Sequence, residues 1–422
     1  MRGTNGDSRP VTDRRTFLRV TGAGVTATAL AGCLDSITGG GDGTATGTPT
    51  ETKPVVLGGL EPYSGPYAQT AREFVSGLEF ALKDINADGG VLGRELVFED
   101  RDTKLDPAEA TTIATELIEA ENAVALTGPI SSDIGLAVAP IAEENEVPHV
   151  PQFVGSHEFL TRDSRYNFRM GLAPAPTNAR AVAQMIENQG LQTVGAIIAD
   201  YSYGHSWKKS MEAIFPDDLD LTMKVAPFRA SSFTSYLREM PEDLELLITA
   251  SHPPGVFTIY QQLQNLDSLN PDLVIGRSDA KLSIQALGQP ITQGFLAQSH
   301  PDPFSTQYKE VAQRYYDETG AFMGTLVGVG YVVADLIAAA IEDAGEAEPT
   351  AVADAIRNIS LDTLFGAPIQ YTKWGELKNL VQIMIAFESG APSYYPDGNI
   401  RFTEYFRTEP LPAYDPSSDL LG

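Results

Sequence analysis

The sequence predicts an α/β protein built on parallel sheets, and three observations carry that reading. From residue 55 onward, short apolar runs alternate with segments of helical period, the pattern of strands joined by covering helices. The segment after the first run carries a helical stripe, with Phe74, Leu78, Ala81 or Leu82, and Ile85 at spacings of three and four. With 422 residues and 42 % hydrophobic content, the chain can supply a core for each of two domains of ordinary size.

The expected strands are 55–59, 96–99, 123–127, 147–150, 194–199, 246–250 and 273–275. The first helix stops at Gly89-Gly90, and a second starts at Asp106-Pro107, where Asp can cap free N–H groups and Pro suits the first turn. That second helix buries Ile113 and Leu117. The longest apolar stretch, 321–341, contains Asp335 together with Gly324, Gly328 and Gly330. It reads as a helix buried in a globular core rather than a membrane span.

The N-terminus reads as an address and an anchor. Arg2, Arg9, Arg14, Arg15 and Arg19 make a basic leader, and 12–19 (TDRRTFLR) carries the paired arginines of a twin-arginine export signal. The mildly apolar run 20–31 is too short to cross a bilayer as a mature helix. It ends in Leu30-Ala31-Gly32-Cys33, which resembles a lipobox whose cysteine thiol becomes a thioether to diacylglycerol. Cys33 is the only cysteine, so no intrachain disulfide can form. Of the 19 residues from 36 to 54, 11 are Gly or Thr, the composition of a flexible tether.

Against 29 Lys plus Arg stand 56 Asp plus Glu, a formal charge of -27 that opposes nucleic acid or an anionic membrane surface as partner. Lys supplies only 10 of the 29 basic residues. Such an acidic, lysine-poor surface suits a halophilic protein, because concentrated salt screens its self-repulsion. The other reading of the carboxylates is the solvated surface of an exported mesophilic protein.

The segment 84–96 (DINADGGVLGREL) joins a helix end to the next strand through paired glycines and Gly93. It resembles the signature of the leucine/isoleucine/valine-binding receptor family of ABC transporters, which has the type I periplasmic-binding-protein fold. Further segments follow in the family's order: Tyr63-Ser64-Gly65-Pro66, then 128–133, 151–161, 200–205, Ser251-His252-Pro253, 276–279 and 364–378. The resemblance covers residues 55 to 387. It implies two doubly wound parallel-sheet lobes joined by a three-stranded hinge, with crossings near Gly171, Ala297 and Ile369. The implied division is a signal peptide at 1–33, a linker at 34–54, an N-terminal lobe of 55–170 and 298–368, a C-terminal lobe of 171–297 and 369–412, and a tail at 413–422.

Ligands of open parallel sheets sit beyond the carboxyl ends of the strands. Ser131 and Ser132 therefore stand out, because the N–H groups and hydroxyls of a helix start can receive a carboxylate. By resemblance, Ser132 binds an amino acid carboxylate; its other reading is a plain N-cap. Tyr203 matches a family tyrosine that closes over the ligand, and Tyr67 and Tyr331 are further candidates to line the pocket. The chain departs from the family at the threonine that often shares the carboxylate, where Gln152 or Ser156 substitutes. Ser251 replaces a family tyrosine, and Ser278, flanked by Asp279, stands where the family places the acid that meets the ligand's ammonium.

Other chemistries are poorly supported. Asp200, His205 and Ser206 crowd one loop, and GHSWK lacks the second glycine of a nucleophile elbow. Gly328-Val329-Gly330 lies inside the long apolar helix rather than after a strand. Asp100, Asp102 and Asp106 lack the glycine and terminal Glu of a calcium loop, so neither metal nor cofactor is expected. Asn358-Ile359-Ser360 is a glycosylation sequon of high chance frequency.

The resulting expectation is a binding protein rather than an enzyme. It would sit on the outer face of the membrane through its lipid, capture a branched-chain amino acid or similar polar solute, and deliver it to an ABC permease and ATPase. A sensory receptor on the same scaffold, or one for amides or urea, is the alternative. Replacing Cys33 with Ser is expected to move the protein from the membrane fraction to the medium. A Cys33→Ser protein still membrane-bound after high-salt washing would contradict lipidation.

Overall fold

The computed structural model describes residues 53–251, 254–276, 283, 286–287, 295–299, 301–398, 400–418 and 420–421. The expected twin-arginine motif, the lipobox with Cys33, and the candidates Ser278 and Asp279 lie outside the described residues. In chain order, β1 (Val55–Glu61), α1 (Ala68–Ala87), β2 (Leu96–Asp102), α2 (Pro107–Glu119), β3 (Ala125–Thr127), α3 (Ser132–Glu144) and β4 (His149–Val150) form the first assembly. Its strands pair in parallel in the order β2-β1-β3-β4. Asp106 caps α2 as its sequence predicts, its carboxylate accepting from the N–H groups of Ala108 and Glu109 at 2.8 and 3.0 Å.

The alternation along β1 explains why this sheet is covered twice. Leu57 packs in a cluster with Phe74 and Leu78 of α1, whereas Leu60 packs with Ile113, Leu117 and Leu126 in a separate cluster. Each face thus buries its own apolar layer, as a parallel sheet requires.

The second assembly contains α4 (Ala175–Gln189), β5 (Thr193–Asp200), α5 (Ser202–Ile214), β6 (Asp220–Pro227), α6 (Thr234–Leu237), β7 (Leu246–Ala250), α7 (Gly255–Leu263), β8 (Leu273–Gly276) and β9 (Phe295–Ser299). The chain then forms α8 (Thr306–Thr319), α9 (Thr325–Ala344) and α10 (Pro349–Asn358) before returning as β10 (Ile383–Ser389) and β11 (Ile400–Arg407). The sheet order is β11-β10-β9-β8-β7-β5-β6. Strands β5 to β9 are parallel, and the β9-β10-β11 edge is antiparallel.

Four strands of this sheet, β6, β9, β10 and β11, were not foreseen from sequence. β6 is an edge strand with only Ala226 buried, so it shows no apolar run. β10 and β11 form an antiparallel edge, outside the strand-and-helix alternation that located the others. β9 runs to Ser299, so the crossing expected near Ala297 falls inside a strand, and the chain leaves this sheet two residues later.

The long apolar stretch is α9, which is long and apolar enough by composition to cross a bilayer. It is apolar because it is buried, packed tightly on α1. A Cβ at Gly77 would lie 1.8 Å from the Val327 carbonyl, and one at Gly330 would lie 2.0 Å from the Phe74 carbonyl. Glycines on both helices therefore permit this approach.

Between β4 and α4 the chain runs beside the segment that leads back to β10. Phe168 N–H donates to the His149 carbonyl at 2.9 Å, and Arg169 N–H donates to the Gly375 carbonyl at 2.8 Å. Arg169 and Glu376 are both buried and form an ion pair at 2.9 Å. The same guanidinium donates to the carbonyls of Val154 and Ser156. Gly171 has φ +59°, and a Cβ there would meet the Gln152 carbonyl at 2.2 Å, so the turn needs glycine. The final segment also packs down: Tyr414 is buried, its carbonyl accepts from Trp374 Nε1 at 3.3 Å, and Asp415 pairs with Arg162.

Candidate functional site

The carboxyl ends of the parallel strands put Glu61, the 128–132 turn and the 151–156 loop at one sheet edge. The other sheet edge carries Asp200 to Ser202, Phe228 and Ser251. The two edges touch. Asp133, in the first turn of α3, accepts from Ser202 N–H at 3.1 Å and from the Ser202 hydroxyl. Ser206 Oγ of α5 lies 3.2 Å from Ser156 Oγ and 2.7 Å from His157 Nδ1, and accepts from His157 N–H at 3.2 Å.

An aromatic group fills the space beside these contacts. Tyr67, immediately before α1, meets Phe228 edge-on at 6.1 Å, and Tyr201 lies 4.8 Å from the same ring. Tyr201 also meets Tyr203 at 6.1 Å. Burial pushes the hydroxyls of Tyr67 and Tyr201 up, so both stay neutral donors and acceptors at physiological pH. Tyr203 packs on the backbone of the 151–156 loop, since a Cβ at Gly155 would come within 2.4 Å of its ring.

The two serines at the start of α3 divide their roles differently from the sequence expectation. Ser131 is the N-cap, with no side-chain capping bond. Ser132 is the first helical residue, and its buried Oγ accepts from the N–H groups of Gly155 and Ser156 at 3.2 and 3.1 Å. It therefore holds the opposite loop in place while keeping its own proton to donate. The helix start retains the positive end of its dipole, suited to an acceptor group such as a carboxylate.

Other candidates are placed as follows. Gln152 is buried and donates through Nε2 to Glu61. Ser156 is committed to the Ser206 contact and to capping the short turn His157–Phe159. Ser251 follows β7 directly, near the start of α7, where a Cβ at Gly255 would stand 2.6 Å from its Oγ. Tyr331 is not brought to the strand ends: it packs 6.3 Å from Phe80, in the layer of α1 and α9. Gly330 must face α1, which turns the next residue about 100° round the helix. Ser206 faces His157 rather than His205, and His205 instead pairs with exposed Asp200 at 2.9 Å.

Sequence reasoning missed Glu61, Asp133, Tyr201 and Phe228 as site residues. Glu61 carried a signal, being a lone acid closing an apolar strand at the ligand edge. It is fully buried, and burial, reinforced by Asp100, pushes its carboxyl well above the usual range against the bond from Gln152.

Two α/β sheet assemblies, crossed three times by the chain and meeting through side chains at their facing strand edges, define a hinged two-lobed binding scaffold. The chain belongs to the periplasmic binding protein family, which it matches over residues 54–390. It is similar to a Leu/Ile/Val-binding protein homologue of Brucella abortus (strain 2308), 27% identical over 241 residues, covering 57% of this chain and 56% of the relative. The match thus spans little more than half the length of that curated relative.

Among solved structures, it resembles a solute binding protein of an ABC transporter from Rhodopseudomonas palustris, in complex with 3,4-dihydroxy benzoic acid. That likeness has TM-score 0.73 and 17% identity, covering 85% of this chain and 98% of the other. A branched-chain amino acid transporter substrate binding protein from Streptococcus pneumoniae, in complex with isoleucine, gives TM-score 0.69 and 16% identity, covering 83% and 100%. At these identities the likeness establishes the fold.

Replacing Ser132 with Ala is expected to lower unfolding stability by about 1–3 kcal/mol, because two buried N–H groups lose their acceptor. Denaturant unfolding measures it. A loss below about 0.5 kcal/mol would show that the hydroxyl does not hold the loop.

Proposed function

We propose that this chain is the extracytoplasmic solute-binding lipoprotein of an ABC importer, taking a branched-chain amino acid or similar small polar solute between its lobes. The observation that supports this most directly is the pairing of Asp133 with Ser202 across the facing strand edges. Side chains at the ligand edges of two separate sheets meet only if the lobes close on one another. A solute bound there would add contacts available only in the closed form, and so drive closure.

In this reading, Ser131 and Ser132 at the start of α3 take the solute's carboxylate, while Tyr67, Tyr201, Tyr203 and Phe228 exclude water and bury its apolar body. The aromatic lining also favours a second reading, an aromatic acid, in keeping with the dihydroxybenzoate held by the R. palustris protein. The leader, lipobox and tether of the sequence would place the globule outside the membrane, where a permease and its ATPase accept the closed form.

The purified protein is expected to bind L-leucine or L-isoleucine with one-to-one stoichiometry in calorimetric titration. Ser131→Ala should weaken that binding about tenfold or more with unchanged thermal stability. If branched-chain amino acids and benzoates all fail to bind, and mass spectrometry of the acid-denatured protein releases no other small solute, the proposal is wrong.

A further inference from the structure

The carboxyl edge of the first sheet holds one polar pair that the packing of the fold leaves incomplete. Glu61 is the last residue of β1, and Gln152 lies two residues beyond β4, so the pair spans the end of the intervening β3. Gln152 Nε2 donates to Glu61 Oε1. The second oxygen of Glu61 and the amide oxygen of Gln152 are both buried without a hydrogen-bond partner among the described residues. A buried polar atom without a partner costs free energy that folding does not recover. Two of them in one bonded pair, at the edge where this class of sheet binds ligands, point to a missing donor.

The chemistry of that donor follows from what surrounds the pair. With Glu61 ionised both open atoms are acceptors, so one group that serves both must present at least two hydrogens. The charge that bears on Glu61 is Asp100 of β2, also an acid. Tyr63 donates its hydroxyl to Asp100 and thus adds no positive charge, and Glu79 of α1 adds a further acid beside Asp100. Burial and Asp100 together disfavour a bare carboxylate at Glu61. A cation offsets both effects through its charge, whereas a neutral amide, like that of Gln152, offsets them only in part.

We infer that Glu61 and Gln152 receive the ligand's ammonium group, and so select an amino acid over the corresponding plain carboxylic acid. The inference rests on the solute-binding reading above and narrows it. The ammonium donates to Glu61 Oε2 and Gln152 Oε1, and Glu61 is ionised in the complex. The carboxylate then lies toward the start of α3, where the helix dipole favours it. A benzoate or fatty acid would leave both acceptors buried and open, and is rejected for that reason.

The test titrates the full chain and its Glu61→Gln variant with L-leucine, 4-methylpentanoate and benzoate. The first two share a carbon skeleton and differ at the ammonium. The wild type is expected to bind L-leucine about ten- to a hundredfold more tightly than 4-methylpentanoate. Glu61→Gln should lose most of that preference by weakening L-leucine alone. Gln152→Leu serves if Glu61→Gln fails to fold, and the wild-type comparison stands without either variant. Equal or tighter binding of 4-methylpentanoate or benzoate by the wild type overturns the inference and leaves solute binding intact. An undiminished preference in a folded Glu61→Gln protein overturns it too. Failure of all three probes to bind overturns the inference together with the proposed amino acid ligand.

Discussion

The buried guanidinium of Arg169 is the constraint on which the rest of the structure depends. It pairs with Glu376, donates to the carbonyls of Val154 and Ser156, and lies 5.3 Å from the centre of the Phe159 ring. Its backbone N–H is bonded to the Gly375 carbonyl. One side chain thus joins two passages of the chain between the sheets to the loop that faces the second lobe. Desolvating both charges is costly, and the pair is tolerable because the carbonyls and the Leu377 N–H satisfy the remaining hydrogen-bonding capacity. Losing either partner would leave the other charged and buried, at a cost of about 3–5 kcal/mol. The pair therefore serves definition of the hinge more than net stability.

That rigidity stands next to contacts of the opposite kind. Across the lobes, Asp133 meets Ser202, and Ser206 meets Ser156 and His157. Hydroxyls and carboxylates exchange readily with water, and such bonds contribute only about 0.5–1.5 kcal/mol net between neutral groups and about 1.5–3 kcal/mol to a charged one. Together with the ring contacts of Tyr67 with Phe228 and of Tyr203 with the 151–156 loop, these exchangeable bonds leave closure responsive to a solute that supplies differential affinity for the closed form. Ser132 connects the two regimes: at the start of α3, beside Asp133, it holds the backbone of the same loop that Arg169 fixes from behind.

How much of this was legible in the sequence follows from what each element buries. Strands β1, β5 and β7 are fully or nearly fully buried and appear as apolar runs, so they were located within two residues. β6 is half-exposed and β11 pairs only at an antiparallel edge, so neither carries that signal. The placement of Ser131, Ser132, Gln152, Tyr67 and Tyr203 near the strand ends was legible, because position after a strand, together with the family resemblance, selects them. The bonds they make were not. Ser132 reads as a ligand contact or a cap, and only three-dimensional packing shows it holding Gly155 and Ser156 from 23 and 24 residues away. Tyr331 was misplaced because helical phase is set by the glycine contacts with α1. Arg169 and Glu376 lie 207 residues apart, and nothing local marks either as half of a buried pair.

The claim that a solute closes two lobes about this hinge is tested most directly by a distance measured between them. Spin labels at Glu119→Cys on α2 and Ala213→Cys on α5, both exposed positions, report on one lobe each once Cys33 is replaced by Ser. Closure predicts a broad or long distance distribution for the solute-free protein, shifting to a single shorter distance on saturation with the solute that calorimetry identifies. A distribution that is the same with and without that bound solute would contradict it.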